Sequence, residues 1–314
     1  MTNDQFLFDV SDRVQIEMTG RDRVKFLHSF CTNDIKKLQP GQGREAFVTN
    51  VNGKVLGHLF VFAERDSLWL ESVAGSAAPL LAHFDKYLIT EDVRFADRSA
   101  ELAELLLVGE QSTALLEQLG LSVANLARNE HLTPSSDVLP VRSVRRVDWF
   151  SSPTWLLSIS AAQWDAVQQA LTQLGATVGD DELFQSQRIA AGFPLYGIDI
   201  SEENLAQEVG RTALAISFTK GCYLGQEPIA RIDAMGHVNR QLCRLDISSG
   251  SPPVAGTSVF DKPAPDGKAV GTITSASRNR EGNADNPLAL AYLRSAFAKT
   301  GCPVLVEGRE AKVM

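Results

Sequence analysis

One structural plan is written twice along this chain, and the repeat restricts the fold more than any other feature. Residues 46–50, 55–63 and 68–72 read as three strands. Turns at Asn52-Gly53 and Arg65-Asp66 separate them, and a helix over 77–88 follows. Residues 141–150 and 155–160 read as two strands joined by a turn at 151–153, with a helix over 161–174. In both places a hairpin delivers the chain into a strand that runs directly into an amphipathic helix. The recurrence predicts two related α+β halves packed on each other. Independent use of a common motif is the alternative.

The flanking segments extend this plan. Val14, Ile16 and Met18 alternate with polar residues, as a half-buried strand does, and after Gly20 RDRVKFLHSF reads as an amphipathic helix. LAELLLV at 102–108 suits a buried strand rather than a membrane span, because Glu104 interrupts it and a bilayer needs about 20 apolar residues. A helix over DDELFQSQRIAAG stops at Gly192, which can take the left-handed cap. Beyond Arg240 the texture changes. QLCRLDI, TSVFDK, AVGTITSAS, LALAYLR and CPVLVE alternate between Pro/Gly/Asn turns, which predicts a small closed β-barrel. The expected division is an α+β body over 1–240 and a barrel over 241–314, in keeping with 314 residues being more than one core usually serves.

Net charge is −8, which argues against a broad electrostatic grip on nucleic acid or anionic lipid. The acidic N-terminus MTNDQFLFDVSD lacks the basic start of a signal peptide and the arginine bias of a transit peptide, so a cytoplasmic protein is expected. Nothing in the pattern suggests an obligate dimer, and a monomer is expected. The four cysteines, Cys31, Cys222, Cys243 and Cys302, are scattered without a CxxC pair. That excludes a disulfide framework and a self-contained metal site, so no metal ligands are assigned and a bound metal would need a second molecule's help.

Cys222 differs from the other three in its neighbours. In TKGCYLGQEPIAR it sits between Gly221 and Gly225, two residues from Lys220 and just ahead of a helix entry at Glu227-Pro228. A helix N-terminus and an ammonium both favour thiolate, the form that nucleophilic attack and metal ligation require. A small buried hydrophobe is the alternative, and it is the reading for Cys31, Cys243 and Cys302.

KGCYLGQE resembles the K-G-C-[FY]-x-G-Q-E signature of the YgfZ-type folate-binding proteins, a branch of the GcvT-like aminomethyltransferase superfamily. LFDVSDRVQIEMTGRDRVKFLHSFCTNDIKKLQPGQG and RIAAGFPLYGIDI are similar to other strong segments of that superfamily, so the resemblance covers most of the chain. It implies a duplicated α+β folate-binding body with a C-terminal barrel around a central channel. It also implies tetrahydrofolate as ligand and a role in iron–sulfur cluster assembly or repair, with effects on tRNA modification through client enzymes. By position, Arg188 is expected near the folate, with Tyr223, Gln226, Glu227 and His58 as further contacts. Lys220 and Cys222 are the expected reacting pair, the thiolate standing at the channel mouth.

Two departures bear on the reaction. Where aminomethyltransferases carry two aspartates in the region of NVNGKVLGHLFVF, this chain has Gly57-His58, which removes a carboxylate able to place a proton. Their glycine-rich segment with a folate-binding glutamate is not recognisable between Val141 and Ser160. A maturation factor is therefore favoured over a folate-dependent aminomethyltransferase, with a folate-sensing scaffold as a third reading. His58 is equally a satisfied histidine. Asn50, Glu208 and Arg211 read as loop or cap residues, and Gln226 and Glu227 also suit the free donors of a helix start.

Overall fold

The computed structural model describes residues 5–134, 139–280 and 286–314; the first four residues of the acidic N-terminal stretch lie outside them. After β1 (Gln5–Asp9) the chain runs through β2 (Val14–Thr19), α1 (Arg23–Phe30), β3 (Gly43–Thr49), β4 (Val55–Ala63), β5 (Ser67–Ser72), α2 (Ala77–Asp85) and β6 (Arg94–Asp97). The same order then returns as β7 (Leu102–Val108), α3 (Ser112–Gln118), β8 (His131–Leu132), β9 (Val141–Val147), β10 (Thr154–Ser160), α4 (Trp164–Gln173) and β11 (Ala176–Val178). The first sheet is ordered β3-β4-β5-β2-β6 and the second β8-β9-β10-β7-β1-β11. Apart from β1 the two orders are identical. The duplication is thus a full β-α-β-β-β-α-β unit, longer than the hairpin-and-helix core legible in the sequence. The intruder, β1, crosses to the second sheet and lies between β7, antiparallel, and β11, parallel.

The two sheets stack face to face with helices on the outside, which explains the apolar runs. On β4, Leu59, Val61 and Ala63 point to a core shared with α1 and α2. Phe60 and Phe62 point the other way, into an inter-sheet core with Phe8, Leu106, Val108, Leu156 and Trp149. A strand covered on both faces loses its apolar/polar alternation. On β7, Ala103, Leu105 and Leu107 meet the second half's helices, while Leu106 and Val108 face the first sheet.

Downstream come α5 (Asp181–Ala190), α6 (Thr212–Ala215) and α7 (Gln226–Met235). A closed barrel follows in the order β12-β15-β14-β13-β16-β17, built from β12 (Arg240–Ile247), β13 (Ser258–Phe260), β14 (Ala269–Arg278), β15 (Pro287–Arg294), β16 (Pro303–Val306) and β17 (Arg309–Val313). The last strand, REAKV, has too little apolar character to read as one. Its pairing with β16 and β12 closes the ring. The barrel docks on α5, with Leu242, Leu288, Leu290 and Tyr292 against Ile189 and Ala190.

Charge is buried between the sheets as well. Arg145 on β9 donates to Glu71 on β5 at 2.9 Å and to Glu104 on β7 at 2.9 Å. Arg13 donates through Nε to the other oxygen of Glu71 at 2.5 Å. Burial, and then the charge of Glu71, push the Glu104 carboxyl well above the usual carboxylate range. Replacing Arg145 with Met leaves Glu71 with Arg13 as its one cation and Glu104 without its donor, and should cost about 3–5 kcal/mol in urea denaturation at neutral pH. Glu104→Gln keeps an acceptor for Arg145 and should cost no more than about 1 kcal/mol. Equal losses for the two variants would refute this division of charge.

Candidate functional site

The signature loop is built onto the first half of the body. Helix α7 begins at Gln226, two residues before Pro228, because Gly225 turns the chain there with φ +83°. A Cβ at Gly225 would lie 2.4 Å from the Asn50 carbonyl oxygen and 2.6 Å from Thr49 Oγ1, so only glycine fits. Thr49 Oγ1 donates to the Leu224 carbonyl at 2.9 Å, and the Leu224 amide donates to the Ser29 carbonyl at 2.9 Å. The loop therefore lies clamped between the β3–β4 turn and the end of α1. Cys222 is three residues ahead of the helix cap and exposed. Gln226 is half-buried and Glu227 exposed in the first turn, where a carboxylate suits the positive helix end. Neither makes a side-chain hydrogen bond among the described residues.

Lys220 does something other than attend the thiol. Only 7% exposed, its Nζ donates to the carbonyls of His28 at 2.5 Å, Cys31 at 2.6 Å and Asn33 at 2.9 Å. All three ammonium protons are thereby taken. The acceptors include a free carbonyl in the last turn of α1, the negative end of that helix. The Tyr223 ring covers the ammonium, its centroid 4.7 Å from Nζ. Burial lowers the Lys220 pKa. The expected Lys220–Cys222 reacting pair thus becomes a lysine that locks the loop and a thiol that the loop presents. Lys220→Met should cost about 3–5 kcal/mol by chemical denaturation, because three buried carbonyls lose their donor. Lys220→Arg should recover little, since a planar guanidinium does not match three converging acceptors. Wild-type stability in Lys220→Met would remove the locking role.

His58 lies in the inter-sheet layer. Its Nε2 is 2.8 Å from Glu45 Oε1, and the ring packs between Phe47, Phe60 and Phe193. Glu45 is gripped from the other side by Arg211, through Nε at 2.7 Å and Nη2 at 2.6 Å. Arg211 also reaches Asp148 at 3.3 Å, so the residue at the N-cap position of α6, as expected of a loop or cap residue, is by its side chain the hub of an ion-pair network as well. Asn50 and Glu208 do serve as turn and cap: Asn50 Oδ1 accepts from the Asn52 and Lys54 amides, and Glu208 accepts from the Leu205 amide. Gly57 faces outward, where a Cβ would strike Leu80 at 2.7 Å.

Burial alone would raise the Glu45 carboxyl, but the bonds from Arg211 and His58 outweigh it and hold the pKa at about 2. The folded-state value lies below the unfolded one. Glu45 therefore contributes stability above about pH 4.5 and loses it as the pH falls towards 2, about 3 kcal/mol in all. Thermal unfolding followed from pH 6 to pH 2 should show this loss in the wild type and a flatter curve in Glu45→Gln. Parallel curves would exclude it.

Arg188 is also committed. It donates from Nη1 to Asp199 Oδ2 at 2.8 Å, from Nη1 to the Phe193 carbonyl at 3.2 Å and from Nε to Gln185 at 2.6 Å. The remaining Asp199 oxygen accepts from the Thr274 and Ser275 hydroxyls of β14 at 2.5 and 2.6 Å, which ties the body to the barrel. These bonds fix Nε and Nη1 within the protein and leave Nη2 without a hydrogen bond among the described residues, and Arg188 lines neither of the two cavities described below.

Where a central channel was expected, two cavities open with Ile198 in the wall of both. The larger, about 630 Å³, lies where the β1–β2 turn, the end of β5, the start of α5 and the Leu195–Ile198 segment meet. Phe8, Phe184 and Tyr196 supply aromatic wall, Asp9 and Asp12 supply carboxylates, and Arg13 supplies the cation. Arg13 stacks its guanidinium on Trp149 at 4.2 Å and anchors Nε to Glu71, while its two terminal amino groups make no hydrogen bond among the described residues. Sequence reasoning missed Arg13, Phe184 and Tyr196, although all lie in or beside stretches already singled out; only the crossing of β1 brings them together. Cys222, Tyr223, His58, Gln226 and Glu227 line neither cavity, so the thiol does not stand at the mouth of either. Among the described residues no three metal-ligating side chains converge, and no helix is long and apolar enough to cross a membrane.

Residues 1–220 match the GCVT N-terminal domain family. The tRNA-modifying protein YgfZ of Sodalis glossinidius is 29% identical over 281 residues, covering 88% of this chain and 82% of its own. The aminomethyltransferase of Symbiobacterium thermophilum is 26% identical over 321 residues, covering 98% of this chain and 83% of its own. Aminomethyltransferase T of the Bartonella henselae glycine cleavage system superposes with a TM-score of 0.87 at 21% identity, over 99% of this chain and 85% of that one. That likeness extends the shared fold through the barrel.

Proposed function

Because the chain belongs to the GCVT N-terminal domain family, we propose that it binds tetrahydrofolate in the cavity beside Arg13 and serves iron–sulfur cluster assembly or repair through the thiol of Cys222. The observation that carries the folate reading is the cavity itself. About 630 Å³ is ample for a ligand of that size. Phe8, Phe184 and Tyr196 suit the flat rings. The carboxylates of Asp9 and Asp12 suit the donor-rich edge of a pterin, and the open edge of Arg13 suits an anionic or carbonyl oxygen. Bound there, tetrahydrofolate would supply a reduced pterin able to carry a one-carbon unit. The chain's part is to bind and orient it and to shield one face from water.

The relatives carry two kinds of name, tRNA-modifying protein and aminomethyltransferase. Two features favour the maturation reading here. Gly57 packs against Leu80 and leaves no carboxylate at that point, and the Lys220 lock holds a cysteine loop outward, away from the cavity. The thiol thus meets protein partners from solvent: as thiolate it would replace a leaving ligand on a cluster, or attack the outer sulfur of a partner's persulfide and release that partner's thiolate. Aminomethyl transfer is the second reading, supported by the fold and the relatives' names.

Tetrahydrofolate titrated into the purified protein should bind one to one, with affinity falling about tenfold in Arg13→Met and unchanged in Cys222→Ser. The same Cys222→Ser should lose rescue of cluster-enzyme activity in a deletion strain. Full rescue defeats the thiol's role, and no saturable binding defeats the folate site. Sustained formation of 5,10-methylenetetrahydrofolate from an aminomethyl donor would establish the second reading instead.

A further inference from the structure

The second cavity, about 480 Å³, lies on the seam between the barrel and the body segment that follows Asp199. Its barrel wall is the outer face of β12, β14 and β15. On that face Arg240 stands directly opposite Arg294, and Tyr292 directly opposite Thr272. Like charges paired across two strands repel each other. Here no acid intervenes on the Arg294 side: Arg294 is exposed and makes no ion pair among the described residues. Arg240 is only half engaged. Its Nε donates to Glu208 at 3.0 Å and its Nη2 to the Glu203 carbonyl at 3.1 Å, which leaves Nη1 open.

The Tyr292 hydroxyl is the unpartnered polar group of this wall. The residue is 8% exposed, and the hydroxyl is buried without a hydrogen-bond partner. A buried hydroxyl with no partner is uncommon enough to point to a missing ligand or water. Burial raises the phenol's pKa, with the charge of Glu208 adding to it, so the proton stays on at neutral pH and is available to donate. The one buried carboxylate in the wall, Asp199, does not compete for these donors, because both its oxygens are engaged by Arg188, Thr274 and Ser275. Glu203 is a rim group, largely exposed and paired with Lys54 at 3.3 Å.

We infer that this seam cavity is a second ligand site, which takes a small molecule through a carboxylate or phosphate group held by Arg294, the open edge of Arg240 and the Tyr292 hydroxyl. Such an anion relieves the Arg240–Arg294 repulsion and satisfies the orphaned phenol together. The volume left over admits a ligand body larger than a bare ion. Ser201, Asn204 and Thr272 line that remaining space and would select a polar body over an apolar one. The site is separate from the cavity beside Arg13, with Ile198 between them, and does not depend on tetrahydrofolate binding.

Calorimetric titration of the folate-free protein with inorganic phosphate, and separately with glutarate, tests the site and tells the two anion chemistries apart. One probe should bind saturably, one to one, with a submillimolar Kd at low ionic strength. Arg294→Gln should weaken that binding about tenfold and Tyr292→Phe several-fold, while Lys262→Gln on a barrel loop should leave it unchanged. Without probe, Arg294→Gln should melt at or above the wild-type temperature, since it removes a repulsion. If neither probe saturates, if Arg294→Gln binds as the wild type does, or if Lys262→Gln weakens binding equally, the site does not exist. Unaltered binding in Tyr292→Phe removes the phenol from it.

Discussion

Two sheets that pack face to face and also carry helices on their backs have no solvent-facing side, so every polar residue on their inner faces must find its partner inside. That constraint shapes the body of this protein. Glu71 and Glu104 are met by Arg13 and Arg145, and Glu45 by His58 and Arg211. Each acid is placed on one strand and answered from another element: Glu45 meets His58 within one hairpin of the first sheet, Glu104 meets Arg145 within the second, and the Arg145–Glu71 pair bridges the two. Removing a single member leaves a buried charge short of a partner, so each cluster is costly to break even where it adds little net stability, and the Arg145–Glu71 pair ties one sheet to the other.

The same constraint decides what could be read from the residues alone. The duplicated halves were legible because a hairpin running into an amphipathic helix is a local pattern, and the barrel because short alternating strands end at glycines and prolines. The crossing of β1 was not legible. QFLFD looks like any short strand, and nothing local says that it pairs with β7 and β11 rather than with its neighbour β2. β17 was missed for a related reason: Glu310 and Lys312 face out of a closed ring whose other strands supply most of the core, and Arg309 at its start is spent on the Ser249 and Ser251 carbonyls.

The candidate site was legible as residues but not as roles. Lys220, Arg188 and His58 each stand out in the sequence as cations or titratable groups amid apolar or glycine-rich surroundings. Yet each is answered at a distance that only the fold closes: Lys220 by carbonyls near residue 30, His58 by Glu45 across a hairpin, Arg188 by Asp199 beyond the helix end. Arg13 was passed over because one arginine at the start of a strand carries no pattern. Its importance comes from what its neighbours leave undone, since Glu71 and Trp149 fix the guanidinium and leave its outer edge facing a cavity.

Arg188 and Asp199 show how a residue can matter to two sites while belonging to neither as a ligand. The pair sits at the C-terminal end of α5, whose first turn helps line the larger cavity. Asp199 itself lines the smaller one and grips β14 of the barrel through two hydroxyls. The Leu195 amide adds a fourth bond to Asp199 at 3.0 Å, which holds the Leu195–Ile198 segment between the cavities. A carboxylate with every acceptor position occupied does not move without breaking several charge-assisted bonds, each stronger than a neutral one. The wall that divides the two cavities is for that reason a rigid part of the fold, and a ligand in either meets a surface already set by the joint between body and barrel.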